Sequence, residues 1–412
     1  MNKHVKHNIL LYLPFFCLLL SGVYAQNLTL QKALSLTLAS NPDLKAFELQ
    51  IQAKQALVKQ SSLLPNPELE VELENFGMAE GAVVFSQLVE LGGKRSRRIG
   101  VAEIDLESAK LEFEIQRLEI LTETAEKYIQ LWEAQEKQKY WQESVAIADS
   151  MLVIIKQRIQ LGATPEIERI RAEVELAGIT LKSKSSKKEY ETAKVGLNTM
   201  WGGDAYIYDK LEELNTDKVD DLDTNKIYQK IPDCPQMLLQ RSFIKKGKAE
   251  LQLAKAEGYT DLEVSAGYKR EGETNEHMAI LGVSIGLPLF NRNQGSIQEA
   301  RTGTKISVYK QTALNHKLHA ILRELASIYQ SQREETETIR KDILPRMEKA
   351  FGETQHLYQL GKTSFLDLLD MQRSLLEIKV GHVESLAQLQ ISRFQIEAIL
   401  GTAWDSLIKG GK

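Results

Sequence analysis

Much that would mark a familiar class is missing from this chain. Of 412 residues, 2 are cysteine and 9 are proline. Lys and Arg number 52 against 56 Asp and Glu, a net charge of −4, so there is no basic excess to hold a nucleic acid. Past the N-terminus no run of 18 apolar residues occurs, which excludes a membrane-spanning helix in the mature chain. Ser-His-Asp sets, metal-ligand spacings and glycine-rich phosphate loops in suitable context are also lacking. The chain is therefore expected to be no enzyme, with no catalytic residue, no cofactor and no bound metal. A composition of 43% hydrophobic and 26% charged residues excludes disorder.

The N-terminus names a compartment. Lys3 and Lys6 precede an apolar stretch over 9–20, and Val23-Tyr24-Ala25 offers small residues where a signal peptidase reads. Residues 1–25 are expected to be a cleaved signal peptide. Cleavage would leave 50 basic and 56 acidic residues, a net charge of −6, and Cys234 as the lone cysteine. No intrachain disulfide could form, so stability would rest on packing.

The remainder reads as a duplication. Leu69-Glu70-Val71 recurs as Leu262-Glu263-Val264, and Gln160-Leu161-Gly162 as Gln359-Leu360-Gly361; Gly202 falls on Gly401 at the second spacing. Two long repeats, with one six-residue insertion between the matched stretches, account for both. The first is expected over 26–202, with a β-hairpin at 67–91. An acidic segment follows over 203–233, either a packed belt or a flexible linker. The second repeat is expected over 234–401, with its hairpin at 261–289, and 402–412 form a tail.

Each repeat reads as helix, two strands, then two very long helices. Residues 28–64 are helical in pattern and stop at Pro65-Asn66-Pro67. Leu69, Val71 and Leu73 then alternate with Glu70, Glu72 and Glu74, a period of two that separates an apolar face from an acidic one. A dry core would not accept three carboxylates, so the acidic face must meet water. The spacing predicts further strands over 83–91, 262–270 and 278–289, of a length that crosses an outer membrane when tilted. A soluble two-sided sheet fits the strand pattern as well. From 93 to 161 there is no proline, and Leu111, Ile115, Leu118, Ala125, Ile129 and Trp132 keep one register while Leu106, Phe113 and Ile120 form a second seam. A helix of that length has neighbours on two sides, as in a wall or tube. Four strands cannot close a barrel in lipid, where open edges have no partners, so strands in a membrane would force self-association.

LTLQKALSLTLASNPDL at 28–44, QLVELGGKRSRR at 87–98 and LPLFNRNQG at 287–295 make the chain similar to the TolC-like outer membrane efflux protein family. The two junction motifs most resemble its cobalt-zinc-cadmium and copper-silver branch. The resemblance covers the whole mature chain. It implies a mixed α/β membrane protein: a homotrimer with a twelve-stranded outer-membrane β-barrel, four strands per chain, continued by a long periplasmic α-helical barrel. It further implies a passive exit duct for a resistance-nodulation-division pump, heavy-metal cations being the favoured cargo, with a periplasmic adaptor, the inner-membrane pump and outer-membrane lipid as partners. A duct for drugs or a type I secreted polypeptide is the alternative within the fold, and a periplasmic coiled-coil scaffold the alternative outside it.

Candidate site residues follow. Gly162 and Gly361 sit where the long helices fold back; by resemblance these tips meet the adaptor, through Leu161, Gly162, Leu360, Gly361 and Lys362. Asp367 and Asp370, three apart on one helix, share a face and match the family's acidic ring at the periplasmic entrance, where such rings retain cations; a solvated helix face is the plain alternative. Tyr358 falls where the family has a gating tyrosine, although Glu168 and Arg171 in the first repeat depart from the family's pattern. Lys94, Arg95, Arg97 and Arg98 could meet lipid phosphates where strand gives way to helix, or simply be a solvated helix start. Glu70, Glu72, Glu74, Glu263 and Lys269 are expected to line the barrel lumen, with Leu69, Val71, Leu73, Val264 and Tyr268 toward lipid. His316 and His319, spaced i, i+3, lack an evident third ligand.

Overall fold

Proline decides where the first helical stretch breaks. In the computed structural model residues 28–64, expected as one helix, form two, α1 (Leu30–Ser40) and α2 (Pro42–Ser61). The Pro42 ring disfavours α geometry at the residue before it. Asn41 accordingly sits at φ −68°, ψ 123°, and its side chain accepts from the amides of Asp43 and Leu44. Its Nδ2 donates to the Met200 carbonyl at 2.9 Å, which ties the break to the core.

The structure describes residues 27–74, 80–203, 208, 210–212 and 220–402. The expected signal peptide, the turn at 75–79, parts of the acidic segment and tail residues 403–412 lie outside the described residues. After α2 come β1 (Glu68–Glu74), β2 (Glu80–Val89), α3 (Lys94–Gln160), α4 (Glu166–Asn198), α5 (Thr224–Lys230), α6 (Pro235–Glu257), β3 (Leu262–Arg270), β4 (His277–Ile285), α7 (Gln294–Thr338), α8 (Leu344–Gln359) and α9 (Phe365–Leu400). Among the described residues no helix is long and apolar enough to cross a membrane.

Uninterrupted by proline, α3 runs 67 residues, about 100 Å at the α-helical rise. Pro345 does not end the other long helix. It lacks an amide and its ring crowds the carbonyl four residues back, and a π-helical turn over Ile339–Ile343 absorbs the conflict between α7 and α8. Helix contacts form two rows. Beside the sheet the order is α2, α3, α6, α7; at the far end it is α4, α3, α9, α8.

The sheet order is β1-β2-β3-β4, all antiparallel. Residues directly opposed across antiparallel strands point to the same side. Glu70 opposes Val84, which opposes Gly267, which opposes Ile280; one step along, Val71, Val83, Tyr268 and Ala279 align. β4 stops at Ile285, short of the expected 289, because β3 begins at Leu262 and leaves 286–289 no strand to pair with inside the chain.

The largest core gathers where α1, α3, α4 and α9 meet: Tyr128, Ile129, Leu131, Trp132, Leu197 and Trp201 among others. The acidic segment sends Tyr208 and Leu211 into this core and Leu222 into a second one with Ile227, Leu322 and Tyr329. Leu211 forms a parallel bridge with Leu28, whose amide donates to the Lys210 carbonyl at 2.9 Å.

Candidate functional site

Three regions could serve function: the sheet, its junction with the helices, and the far hairpin ends. On the sheet, register separates charge from grease. Glu68, Glu70, Glu72, Glu74, Glu80, Glu263 and Lys269 fall on one side, and Leu69, Val71, Leu73, Val83, Phe85, Val264, Tyr268, Leu281, Val283 and Ile285 on the other. All ten of the latter are exposed, Leu281 at 86%. A soluble sheet would cover such a face; here nothing among the described residues does. The residues expected at a lumen and those expected toward lipid are thus brought to opposite faces. Lys269 pairs with Glu80 at 3.4 Å on the charged face.

At the junction the basic cluster is mostly occupied by the protein itself. Arg95 donates through Nε to the Ser62 carbonyl, and Arg98 to those of Ser61 and Leu63. Two arginines thus satisfy carbonyls left over at the C-terminus of α2. Arg98 also grips Glu90 with its two terminal guanidinium nitrogens, at 2.6 and 3.1 Å, and Lys94 pairs with Asp261 at 2.7 Å. Of the four expected phosphate contacts, Arg95 and Arg97 are exposed, and neither makes an ion pair among the described residues. The cluster was legible as sequence, but Glu90 and Asp261 were not, because neither lies at a helical spacing from its partner.

Arg98's hydrogen bonds hold the Glu90 carboxyl below its usual value. A depressed carboxylate contributes stability that is present above its unfolded pKa, about 4.3, and is lost as pH falls through the folded value. The melting temperature of the solubilised protein should therefore drop on acidification below about pH 4. Glu90→Gln should start lower at neutral pH and lose less on acidification; equal acid slopes would count against this pair.

The two hairpin tips are built alike. Gly162 (φ 69°) and Gly361 (φ 72°) occupy the left-handed region. Each closes a Schellman turn: Gly162 and Ala163 donate to Ile159 and Arg158, Gly361 and Lys362 to Tyr358 and Leu357. Leu161 and Leu360 project at 82% and 55% exposure, and Lys362 is exposed too. Arg158 joins the tips by donating to the Tyr358 carbonyl at 2.8 Å with its guanidinium 5.0 Å from that ring's centre.

Tyr358 lies inside the contact between the hairpins, beside Phe365, with its hydroxyl buried and unpaired among the described residues. Burial first, and the Glu168 charge second, push its phenol pKa up. Asp367 and Asp370 differ in kind. Asp367 folds back on its own helix start, accepting from the Ser364 amide and from the hydroxyls of Thr363 and Ser364 in a capping box. Those bonds hold its carboxyl below the usual range. Asp370 is exposed one turn on, next to Arg373, which is itself bound to Glu175. Asp367→Ala should therefore lower the melting temperature by removing the N3 half of the capping box, whereas Asp370→Asn should leave melting unchanged and weaken cation selectivity in planar bilayers. Equal currents for the Asp370 variant would remove that carboxylate from conduction.

Arg158 and Glu175 were missed by sequence reasoning, since each reaches a residue roughly 200 positions away. Their only signal was the repeat itself, which sets the two hairpins side by side. Among the described residues no group of three or more His, Cys, Asp or Glu could hold a metal ion.

The family described as outer membrane efflux protein matches residues 33–203 and 234–402, leaving the acidic segment between. The chain is 28% identical over 377 residues to the cobalt-zinc-cadmium resistance protein CzcC of Cupriavidus metallidurans, covering 91% of this chain and 90% of that one. It is 23% identical to the cation efflux system protein CusC of Escherichia coli, over 67% of this chain and 61% of the relative. Among solved structures, one of CusC superposes with a TM-score of 0.77 at 16% identity, covering 91% and 92% of the two chains. The CmeC outer membrane channel of Campylobacter jejuni superposes at 0.76 and 15% identity, covering 93% and 87%.

Proposed function

The chain belongs to the outer membrane efflux protein family, and from that premise we propose that three copies form the exit duct of a tripartite pump, conducting heavy-metal cations out of the periplasm. One observation carries the reading: a four-stranded sheet whose two edges, β1 and β4, pair with no other strand among the described residues and whose two faces are charged and apolar. Lipid tolerates strands only in closed barrels, because an unpaired backbone amide or carbonyl there costs several kcal/mol. Three four-stranded sheets joined edge to edge close at twelve strands, with the carboxylates on a water-filled inside and the leucines and valines outward.

Below the sheet the long helices continue the wall. The open rows of helices invite the same closure. The exposed tips at Leu161 and Leu360 are the ends that a periplasmic adaptor would meet, and the inner-membrane resistance-nodulation-division pump would supply the energy. Conduction itself needs no chemistry from this chain. Metal as cargo is supported by the relatives named for cobalt, zinc, cadmium and cation efflux. Asp370 is the residue whose exposed carboxylate could retain cations at the tunnel's lower end.

The test is growth of a deletion strain in zinc, cobalt, cadmium, copper and silver, beside bile salts and lipophilic drugs. Selective metal sensitivity, restored by the intact gene, is the expected result. Selective drug or detergent sensitivity would instead make the duct a general one.

A further inference from the structure

The structure contains a complete template for a contact that a single chain cannot make. Its inner seam, β2 against β3, joins the first repeat to the second. The seam between copies, β4 against β1, would join a second repeat to a first.

Hairpin registers relate the repeats residue by residue. Val71 opposes Val83 in the first hairpin, and its counterpart Val264 opposes Val283 in the second. β1 therefore maps on β3 at a spacing of 193 and β2 on β4 at 200. The helix starts agree independently: Gly93 and Asn293, 200 apart, cap α3 and α7 in the left-handed region at φ 71° and 59°. At the inner seam Val89 opposes Leu262, Gln87 opposes Val264 and Phe85 opposes Ala266.

Carrying that register across the repeats, we propose that a second copy of this chain docks along β4 with its Leu69, Val71 and Leu73 opposite Leu289, Leu287 and Ile285. Residues 286–289 pair with no described strand of their own chain, and there the Leu289 amide donates to the Leu287 carbonyl at 2.8 Å; in the assembly that local bond gives way to strand pairing. The inference rests on the duct reading and adds the register of its seam.

Three observations support this register over its neighbours. All six opposed residues are exposed: Leu69 68%, Val71 58% and Leu73 64% on one edge, Ile285 55%, Leu287 74% and Leu289 64% on the other. Their parity puts them on the apolar side of both strands, whereas a one-residue slip would set leucines against glutamates. Secondly, the turn beneath β4 is already built. Asn293 donates to the Ala254 carbonyl at 2.8 Å, Gln294 to that of Phe290, and a Cβ on Gly258 would come within 2.8 Å of the Arg292 carbonyl oxygen.

Thirdly, the inner seam is fastened below by Asp261, which accepts from the Leu91 amide at 3.0 Å and pairs with Lys94. The mapped positions are Glu68, Asn291 and Gln294. A carboxylate thus stands again opposite a backbone amide and a side-chain donor. Pro288 is compatible. Its counterpart Leu88 turns its carbonyl toward the β1 side, where Gln87 Nε2 bonds both it and the Pro65 carbonyl, so the missing amide of Pro288 lies off the seam.

Paired cysteines test the register in outer membranes. Leu287→Cys with Val71→Cys should give a covalent trimer on non-reducing gels after mild oxidation; either single variant should give none, Cys234 being buried. Leu287→Cys with Leu69→Cys or with Leu73→Cys should give little. Preferential crosslinking of either shifted pair overturns the register while leaving the barrel. An intact trimer on native gels with no crosslink from any pair overturns the seam itself. A protein that stays monomeric and uncrosslinked overturns the duct reading, and this inference falls with it.

Discussion

Leu281→Arg is expected to abolish assembly in the outer membrane, while Ile280→Arg, its neighbour in sequence, is expected to be tolerated. Leu281 is 86% exposed at the middle of β4, on the face shared with Phe85 and Ala266. An arginine at the bilayer midplane of a barrel costs about 2–4 kcal/mol, and a trimer would bear it three times. Ile280 opposes Gly267 on the face of Glu70, where a guanidinium would meet water and carboxylates. The measurement is the amount of heat-resistant trimer in outer-membrane fractions. Equal loss from both substitutions would mean that neither face meets lipid, and a soluble scaffold would then be the better account of the strands.

Tyr128→Ala is expected to cost about 3–5 kcal/mol, the range for emptying a large aromatic site in a packed core. The residue is 1% exposed among Leu28, Ile129 and Trp201, and its hydroxyl donates to the Leu28 carbonyl at 2.9 Å. Burial pushes its phenol pKa up to about 12, so it is a neutral donor at any physiological pH. Leu28 also forms the bridge to Leu211. Losing Tyr128 should thus release the start of the chain and the acidic segment together. Tyr128→Phe separates the two contributions. It keeps the volume and leaves the Leu28 carbonyl with the Glu212 amide as its donor, a loss of about 1 kcal/mol. Limited proteolysis between the repeats and the thermal melt would read both. Melting unchanged in the alanine variant would show that the helical wall does not depend on this core.

Each tip glycine matters for a local reason. A side chain at Gly361 would have to adopt φ near 72°, which is strained for any residue with a Cβ and most for β-branched ones. Nothing else crowds the position except the Arg158 guanidinium, 3.4 Å from where a Cβ would sit. The same arginine holds Tyr358, so the turn and the contact between hairpins are one unit.

Local sequence was enough for what depends on nearest neighbours. The alternation of Leu69 to Glu74, the proline-free run that became α3, and the glycine turns at 162 and 361 all rest on periods and steric rules that act within a few residues. They led to strands of membrane length and long helices. What the tertiary structure decided is where groups distant in the chain meet. Asp367 and Asp370 are equivalent in spacing, yet the first is spent on a helix cap, because Ser364 and Thr363 lie within reach of its carboxylate. Three of the four basic residues after Gly93 bond to the protein itself, because the α2 carbonyls, Glu90 and Asp261 converge on them, although Arg95 stays exposed. The faces of the sheet needed both levels: alternation set the period, but only pairing of β1 through β4 fixed that every acidic face points the same way. Side-chain direction along a strand is local, whereas register between strands is set by backbone bonds formed across the fold.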